Sequence, residues 1–224
     1  MISILTPTRN SPREFRSLIT SLIRRCSNKS IVEVLIKIDD DTDDRKYVES
    51  TMRRSGFKYT ILSTKRGKGY LDINKYLDEL AKISKGSILW LIMDDIVVVR
   101  GDWVKCLMST RDRISDNIYI AYSKCASTRL QLSQNKFRGS GNGVPIVSRE
   151  MYTKLGCFGI DGVPFDSYIR GISNSLPSRT FFLDIWTVQQ FASRSMDIKR
   201  KSVKKKLSKR DYRNIVQKIG VKSL

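Results

Sequence analysis

The chain has 224 residues, and its 42 Lys and Arg against 22 Asp and Glu give a formal net charge of +20. Hydrophobic residues make up 40% of the chain, which is enough for a buried core and excludes a disordered or collagen-like protein. Because histidine is absent, a Ser-His-Asp triad, an HExxH site and any His-ligated metal are excluded. One main α/β or α+β domain is expected at this length.

The cysteines, at positions 26, 106, 125 and 157, are too widely spaced for a zinc or redox motif, and we expect them to be reduced. The apolar run before Pro7 is too short for a signal peptide, and the run Ile88–Met93 is too short to span a bilayer. We therefore expect a cytoplasmic protein that touches membranes only at their surface.

The first predicted strand is the β-branched run Ile2–Thr6, and it ends in the loop Pro7–Asn10. A helix follows, with Ser11 as its N-cap, Pro12 at its first position and Glu14 placed to complete a capping box. Its apolar stripe, expected to cover a sheet, consists of Phe15, Leu18, Ile19, Leu22 and Ile23.

Two further strands end in charged loops. Residues 31–38 predict a strand that stops at the acidic segment Asp39–Asp44, and residues 57–62 predict a strand followed by the basic loop Lys65–Gly69. A helix from residue 73 to 84 is expected to end at Gly86 in a left-handed cap. The continuous apolar run Ser87–Met93 predicts a strand buried on both faces, which ends at Asp94 and Asp95.

Strands and helices alternate through residue 95, which predicts parallel βαβ units. In open sheets of this kind, ligands bind beyond the carboxyl ends of the strands. We therefore expect the loops Thr6–Asn10, Asp39–Asp44 and Asp94–Asp95 to converge on one site.

The second half of the chain is less regular. It predicts helices over residues 103–113 and 164–174, strands over residues 118–123, 144–148 and 180–185, and a glycine-rich acceptor loop over residues 138–143. About half of the excess positive charge lies in residues 194–224. We therefore divide the chain into a domain at residues 1–193 and a basic helical appendage at residues 194–224, which we expect to lie outside the site.

The carboxylates that follow the second and fourth strands would repel one another unless a cation joined them. A divalent metal, held by one or two of them and by substrate phosphates, would meet this need. Acidic residues are also common in turns, and Asp94 could simply cap one. Spacing alone leaves both interpretations open.

Several segments in order resemble the GT-A glycosyltransferases of the family 2 type, over residues 2–190. They are Ser3–Asn10, the strand end at Asp39-Asp40, the helix of Asn74, and Met93-Asp94-Asp95 with Gly101-Asp102-Trp103 behind it. The resemblance implies a Rossmann-like open sheet with helices on both faces. It also implies a nucleotide-diphosphate sugar as donor, usually UDP-linked, and Mn²⁺ or Mg²⁺ as cofactor.

By that resemblance, Pro7, Thr8 and Arg9 would line the nucleotide pocket, with Asp39 at the base and Asn74 also in the donor site. Asp94 and Asp95 would form the acidic metal motif. Ile96 stands where the family usually has a second Asp, so the metal would depend chiefly on Asp95. The histidine that often completes the metal shell is missing; either Asp184 or a water would substitute for it, or the affinity for metal would be weak.

The remaining chemistry is assigned to three residues. Asp166 falls where inverting members of the family have the general base, with Asp161 as the competing choice; without the resemblance, Asp166 would be read as the N-cap of its helix. Arg66 and Lys68, in a glycine-flanked loop, would contact the diphosphate, although a solvated loop is the alternative reading. The three assignments together imply transfer with inversion at the anomeric carbon.

The charge of +20 predicts a polyanionic acceptor. We favour DNA carrying a hydroxymethylated base, which some virus-encoded relatives of this fold glycosylate; the site of action would then be the host cytoplasm. The alternatives are a lipid-linked or glycan acceptor at an anionic membrane docked by Lys199–Arg210, and a catalytically inactive module that binds nucleic acid. A basic tail of no specific meaning is a further alternative.

Overall fold

The structure is a computed structural model that describes residues 1–126, 144–161, 163–189 and 207–221. Its strands are β1 (Ile2–Pro7), β2 (Val32–Asp39), β3 (Lys58–Thr64), β4 (Ile88–Leu91), β5 (Ile96–Arg100), β6 (Ile120–Ala126), β7 (Pro145–Ser148) and β8 (Thr180–Gln189). Its α-helices are α1 (Pro12–Arg24), α2 (Asp44–Arg53), α3 (Ile73–Ile83), α4 (Trp103–Asp112), α5 (Arg149–Leu155), α6 (Phe165–Ser175) and α7 (Lys209–Lys218).

The strands form one sheet in the order β3-β2-β1-β4-β7-β6-β8-β5. The half made of β3, β2, β1 and β4 is parallel, as the alternation of strands and helices predicts. In the other half, β7 runs antiparallel to both β4 and β6, and β5 runs antiparallel to β8 at the sheet edge. The sheet is therefore mixed, and its parallel half carries the three loops expected to form the site.

Helices cover both faces of the sheet, because successive strand residues point to opposite faces. In β1, Ile2 and Ile4 pack with α1, α2 and α4, while Leu5 packs with α3, α5, α6 and α7. Trp90 and Trp103 are fully buried on the first face, with ring centroids 5.5 Å apart. The open α/β sheet with helices on both faces is thus confirmed.

Three elements were not expected from the sequence: α2, β5 and α5. The segment of α2 follows the acidic loop directly, so its charges conceal the buried positions Val48 and Met52. The apolar run of β5 comes directly after Asp95, where the sequence indicates a loop. β8 also extends to Gln189, four residues beyond its predicted end at Ile185.

The ends of two helices differ from expectation. Ser11 is the N-cap of α1, but its hydroxyl donates to the carbonyl of Arg9, so the capping box with Glu14 does not form. Gly86 is not in the left-handed region, and α3 ends at Ser84 in an extended conformation. The guanidinium of Arg149 satisfies the end of this helix by donating to the carbonyls of Ala81, Ser84 and Gly86.

The described part of the C-terminal appendage packs on the main body. Val216 and Val221 are buried in the same core cluster as α6, and the hydroxyl of Tyr212 donates to the carbonyl of Ser167 at 3.2 Å. The ring of Tyr212 lies directly over Gly171, where a Cβ atom would overlap it. Removing residues 194–224 would therefore expose core, and the division of the chain at residue 193 stays a prediction.

Two expected features, the acceptor loop 138–143 and the 199–206 part of the basic strip, lie outside the described residues. Across the described ranges, no helix has both the length and the apolar character needed to cross a membrane.

Because Tyr212 packs on Gly171, we expect a Gly→Ala substitution in this helix to lower stability, whereas it usually raises it. Gly→Ala in an open helix position stabilises by up to about 1 kcal/mol, but here the new methyl group would overlap the ring. We expect Gly171→Ala to lower the free energy of unfolding by about 1–3 kcal/mol in urea denaturation. In a Tyr212→Ala background the same substitution should stabilise. Stabilisation in both backgrounds would show that the ring does not rest on Gly171.

Candidate functional site

The loops after β1 and β4 are joined by Thr8. Its backbone N–H donates to the carbonyl of Lys37 at 3.0 Å, which continues the ladder between β1 and β2. Its hydroxyl donates to Oδ2 of Asp94 at 2.8 Å and lies 3.5 Å from the hydroxyl of Tyr47. Thr8 is buried, so these bonds fix the position of the Asp94 carboxylate beside β1.

Arg9 joins the loop after β1 to the end of β2. Its Nη1 donates to Oδ2 of Asp39 at 2.5 Å and to Oδ1 of Asp41 at 2.8 Å. Nη1 of Arg66, from the basic loop after β3, lies 3.9 Å from Oδ2 of the same Asp41. The three expected strand ends and the basic loop therefore converge at one edge of the sheet.

Asp39 also forms an ion pair with Lys37, and both side chains are almost completely buried. The two residues are two apart on one strand, so they point to the same face, where the Lys37 ammonium lies 3.7 Å from the centroid of the Tyr76 ring. Burial alone would raise the pKa of Asp39, but the hydrogen bonds from Lys37 and Arg9 hold it below its ordinary value. Asp39 is therefore a fixed anion.

Lys37 was not recognised as a site residue from the sequence, although a signal was present. It lies among apolar residues of a strand and has a carboxylate two positions later. Because a buried cation requires a partner, that spacing indicates a pair on one face of the strand.

Asp94 and Asp95 lie where the chain passes from β4 to β5. Burial, aided by repulsion from Asp95, raises the pKa of Asp94 to about 7 despite the hydrogen bond from Thr8. Oδ2 of Asp95 accepts from the Nε2 of Gln189 at 2.7 Å, and Gln189 is the last residue of β8. The extension of β8 thus brings a neutral amide to the acidic pair.

These two carboxylates suit a divalent ion whose remaining ligands come from phosphate and water, which is how Mg²⁺ usually binds. In the described ranges, no cluster of three or more Cys, Asp and Glu side chains is suited to hold a metal ion. Asp184 does not fill the place of the missing histidine. It lies beside Gly101 at the other end of β5, paired with Lys124 at 3.1 Å, because β5 and β8 run antiparallel.

Asn74 in α3 and Asp166 in α6 belong to the helix layer on the face of the sheet opposite α1. The Nδ2 of Asn74 donates to the carbonyls of Val163 at 2.9 Å and Ile160 at 3.4 Å, so its amide holds the loop that leads into α6. Asp166 is the second residue of α6, whose N-cap is Pro164; its carboxylate accepts the backbone N–H of Ser167 and lies 4.0 Å from Nη2 of Arg170, both in the same helix. Its carboxylate is 39% exposed, so it is open to a substrate.

Three predicted residues remain: Asp161 and Lys68, which are exposed to solvent, and Pro7, which lies at the end of β1. The competing Asp161 is 94% exposed and lies 3.8 Å from Lys75. Lys68 is exposed, and its backbone N–H is held by Asp72. Pro7 ends β1 opposite Lys37.

Comparison of the sequence with protein-family models and with curated proteins finds no match. Solved structures do match. Residues 1–349 of S. aureus TarS with UDP are 14% identical, with a TM-score of 0.61, over 97% of this chain and 64% of that one. The mannosyltransferase PcManGT from Pyrobaculum calidifontis, with GDP-Man and Mn²⁺, is 14% identical over 97% and 68%, with a TM-score of 0.65.

GalNAc-T7 with UDP, GalNAc and Mn²⁺ is 12% identical over 97% of this chain and 48% of its own length, with a TM-score of 0.65. These structural neighbours are GT-A fold glycosyltransferases that use nucleotide sugars, and the expectation of a GT-A fold is confirmed. The chain spans 64% of the length of the TarS fragment.

Because Lys37 and Asp39 form a buried pair, we expect that neutralising Asp39 alone lowers stability and that also neutralising Lys37 restores it. Asp39→Asn would leave the Lys37 ammonium without a matching charge, and we expect the free energy of unfolding to fall by about 3–5 kcal/mol in urea denaturation. Asp40→Asn, one residue along and exposed, removes the same charge and should change it by less than about 0.5 kcal/mol. Adding Lys37→Met to Asp39→Asn should recover most of the loss; failure to recover would mean that the pair is not the cause.

Proposed function

We propose that the protein transfers a sugar from a UDP-linked donor to an acceptor hydroxyl, with inversion, and that the acceptor is a modified base in DNA. The observation that carries this proposal is the convergence on Asp94 and Asp39 of the loops after β1, β2 and β4. That edge of a parallel sheet is where ligands bind in open α/β folds. The nucleotide-sugar complexes of the structural neighbours support the choice of donor.

The nucleoside would lie against the loop of Pro7, Thr8 and Arg9. Each oxygen of Asp39 already accepts one hydrogen bond, from Lys37 or Arg9, and a carboxylate oxygen has room for a second. Asp39 would therefore accept an N–H of the base without a large change in its own solvation. Arg66, held near Asp41, and the exposed Lys68 would contact the diphosphate.

A divalent ion, Mn²⁺ or Mg²⁺, would be held by Asp95 and Asp94 and would supply positive charge to the departing diphosphate. Two structural neighbours contain Mn²⁺, which favours that ion. Thr8 fixes the Asp94 carboxylate, and the exposed Arg66 and Lys68 add cationic charge on the same side.

Asp166 would take the proton of the acceptor hydroxyl while its oxygen forms a bond to the anomeric carbon. The bond between that carbon and the diphosphate oxygen breaks on the opposite side, so the configuration inverts and the nucleoside diphosphate leaves with the electron pair. Asn74 would position Asp166 indirectly, because its amide holds the loop that leads into α6.

A second candidate is a catalytically inactive module of the same fold that binds nucleic acid. It is favoured by the contact of Gln189 with Asp95, which uses one oxygen of the carboxylate assigned to the metal. Such a module would gain no stability from a nucleotide sugar and metal together.

The deciding measurement is the thermal midpoint of the protein with UDP-glucose, UDP-GlcNAc or GDP-mannose, with and without Mn²⁺. At 100 times Kd a bound donor stabilises by about 2.7 kcal/mol. We expect Asp95→Asn to abolish the part of this thermal shift that requires Mn²⁺. The rate at which UDP is formed from the UDP-sugar should fall at least about 100-fold. Asp184→Asn, an exposed carboxylate away from the site, is the matched control and should behave as the unmodified protein. Equal behaviour of the two variants would remove Asp95 from the proposed metal site.

Asp166→Asn should separate donor binding from transfer. The general base acts on the acceptor, so we expect the thermal shift with donor to be kept and transfer to a hydroxymethylated oligonucleotide to fall by about 10²–10⁴. Asp161→Asn serves as the control and should keep the rate. The opposite result in this pair would assign the base to Asp161, and loss of donor binding in Asp166→Asn would give Asp166 another role.

A further inference from the structure

A groove of about 410 Å³ lies between α1 and the edge strand β5. It belongs to the helix layer that contains α1, on the face of the sheet opposite α6 and Asp166. Its walls are Val97–Val99 on one side and the outer surface of α1 on the other. The helix and its C-cap residue Arg25 contribute arginines and hydroxyl residues: Arg16, Ser17, Thr20, Ser21, Arg24 and Arg25.

The arginines form a row because of their spacing. Arg16, Thr20 and Arg24 are four residues apart, so they lie on one side of α1 and extend over about 12 Å. The two walls are joined where the backbone N–H of Val98 donates to the hydroxyl of Ser21 at 3.0 Å. This bond satisfies a polar group of the edge strand and fixes the distance between helix and strand.

The charge of the row is not neutralised within the described part of the chain. Arg16, Arg24 and Arg25 are exposed, and no described carboxylate forms an ion pair with any of them. On α2, by contrast, Arg45 and Arg53 both pair with Glu49. The row on α1 is therefore a concentration of cationic charge beside the hydroxyls of Ser17 and Thr20, whereas the hydroxyl of Ser21 already donates to the carbonyl of Leu18 at 2.7 Å.

The chemistry of the groove selects its ligand. Guanidinium groups bind phosphate oxygens through two parallel hydrogen bonds, and Ser and Thr hydroxyls are common phosphate donors. No aromatic residue lines the groove, so it offers no surface on which bases could stack. The large apolar side chains that are exposed in the described ranges, Ile83 and Phe182, lie elsewhere, so the groove lacks the large exposed apolar side chain that would anchor it in a bilayer.

We propose that this groove binds the phosphodiester backbone of a nucleic acid without sequence preference. A row of about 12 Å matches three to four nucleotides at about 3.4 Å of rise each. The inference goes beyond the proposed transfer, because binding to the groove requires neither the donor nor the acidic pair. The groove would retain the nucleic acid on one face while a nucleotide reaches the strand-end site.

The test is fluorescence anisotropy with a labelled 20-nucleotide DNA, single-stranded and duplex, and no nucleotide sugar. We expect Arg16→Gln with Arg24→Gln to weaken binding at least about 10-fold at low salt. The slope of log affinity against log salt should become shallower by about 1–2, one unit or slightly less for each lost phosphate contact. The control is Arg45→Gln with Arg53→Gln, which removes the same charge from α2 and should change both quantities much less.

Three outcomes would overturn the proposal. The first is an affinity for DNA that is the same in the Arg16→Gln, Arg24→Gln double variant as in the unmodified protein. The second is an equal loss in both double variants, which would indicate a general effect of net charge. The third is weakened binding to phosphatidylserine vesicles with unchanged binding to DNA, which would assign the groove to a membrane. The thermal shift with UDP-sugar and Mn²⁺ in the same variant reports separately on the transferase proposal and should be unchanged.

Discussion

The neutralisation of Asp39 is the interaction on which the strand-end site depends. This carboxylate is buried at the end of β2, where an unpaired charge is most costly, and it is held between the ammonium of Lys37 and the guanidinium of Arg9. Lys37 belongs to β2 itself, whereas Arg9 comes from the loop after β1. The same contact that satisfies the charge therefore also fixes the loop that we assign to the nucleotide.

One consequence concerns the other carboxylates. In the acidic segment after β2, Arg9 and Arg66 lie near Asp41, and Asp44 accepts the backbone N–H of Asn10. At the end of β4, Asp94 accepts a hydrogen bond from Thr8, and Asp95 accepts one from Gln189. The pKa of Asp94, raised to about 7 by burial and by repulsion from Asp95, shows that a negative charge on both carboxylates is costly at this place, which is why we assign the proposed metal to this pair.

The sequence predicts the four strands of the parallel half of the sheet, because each contains an apolar run, and it predicts α1 and α3 because each has an apolar stripe; it does not reveal α2, whose charges conceal its two buried residues. It predicts the convergence of the loops for the same reason, since parallel strands bring their carboxyl ends to one edge. It does not reveal that Gln189, rather than Asp184, reaches Asp95, because that depends on the antiparallel register of β5 and β8. The sequence also does not reveal that α7 packs on the main body. Most of its residues are polar or basic, and Val216 is its one buried residue.

The stiffness of nucleic acid limits how the two faces of the protein can act on one acceptor. The groove beside α1 and the carboxylate of Asp166 lie in different helix layers, separated by the sheet. A domain of this size is roughly 45 Å across, whereas duplex DNA bends smoothly only over lengths near its persistence length of about 50 nm. A duplex held in the groove could not wrap around the sheet edge to reach Asp166. If the proposed acceptor is DNA held in the groove, turning out one base would not span that distance, whereas a flexible single strand could follow the path to Asp166 with its bases already unpaired.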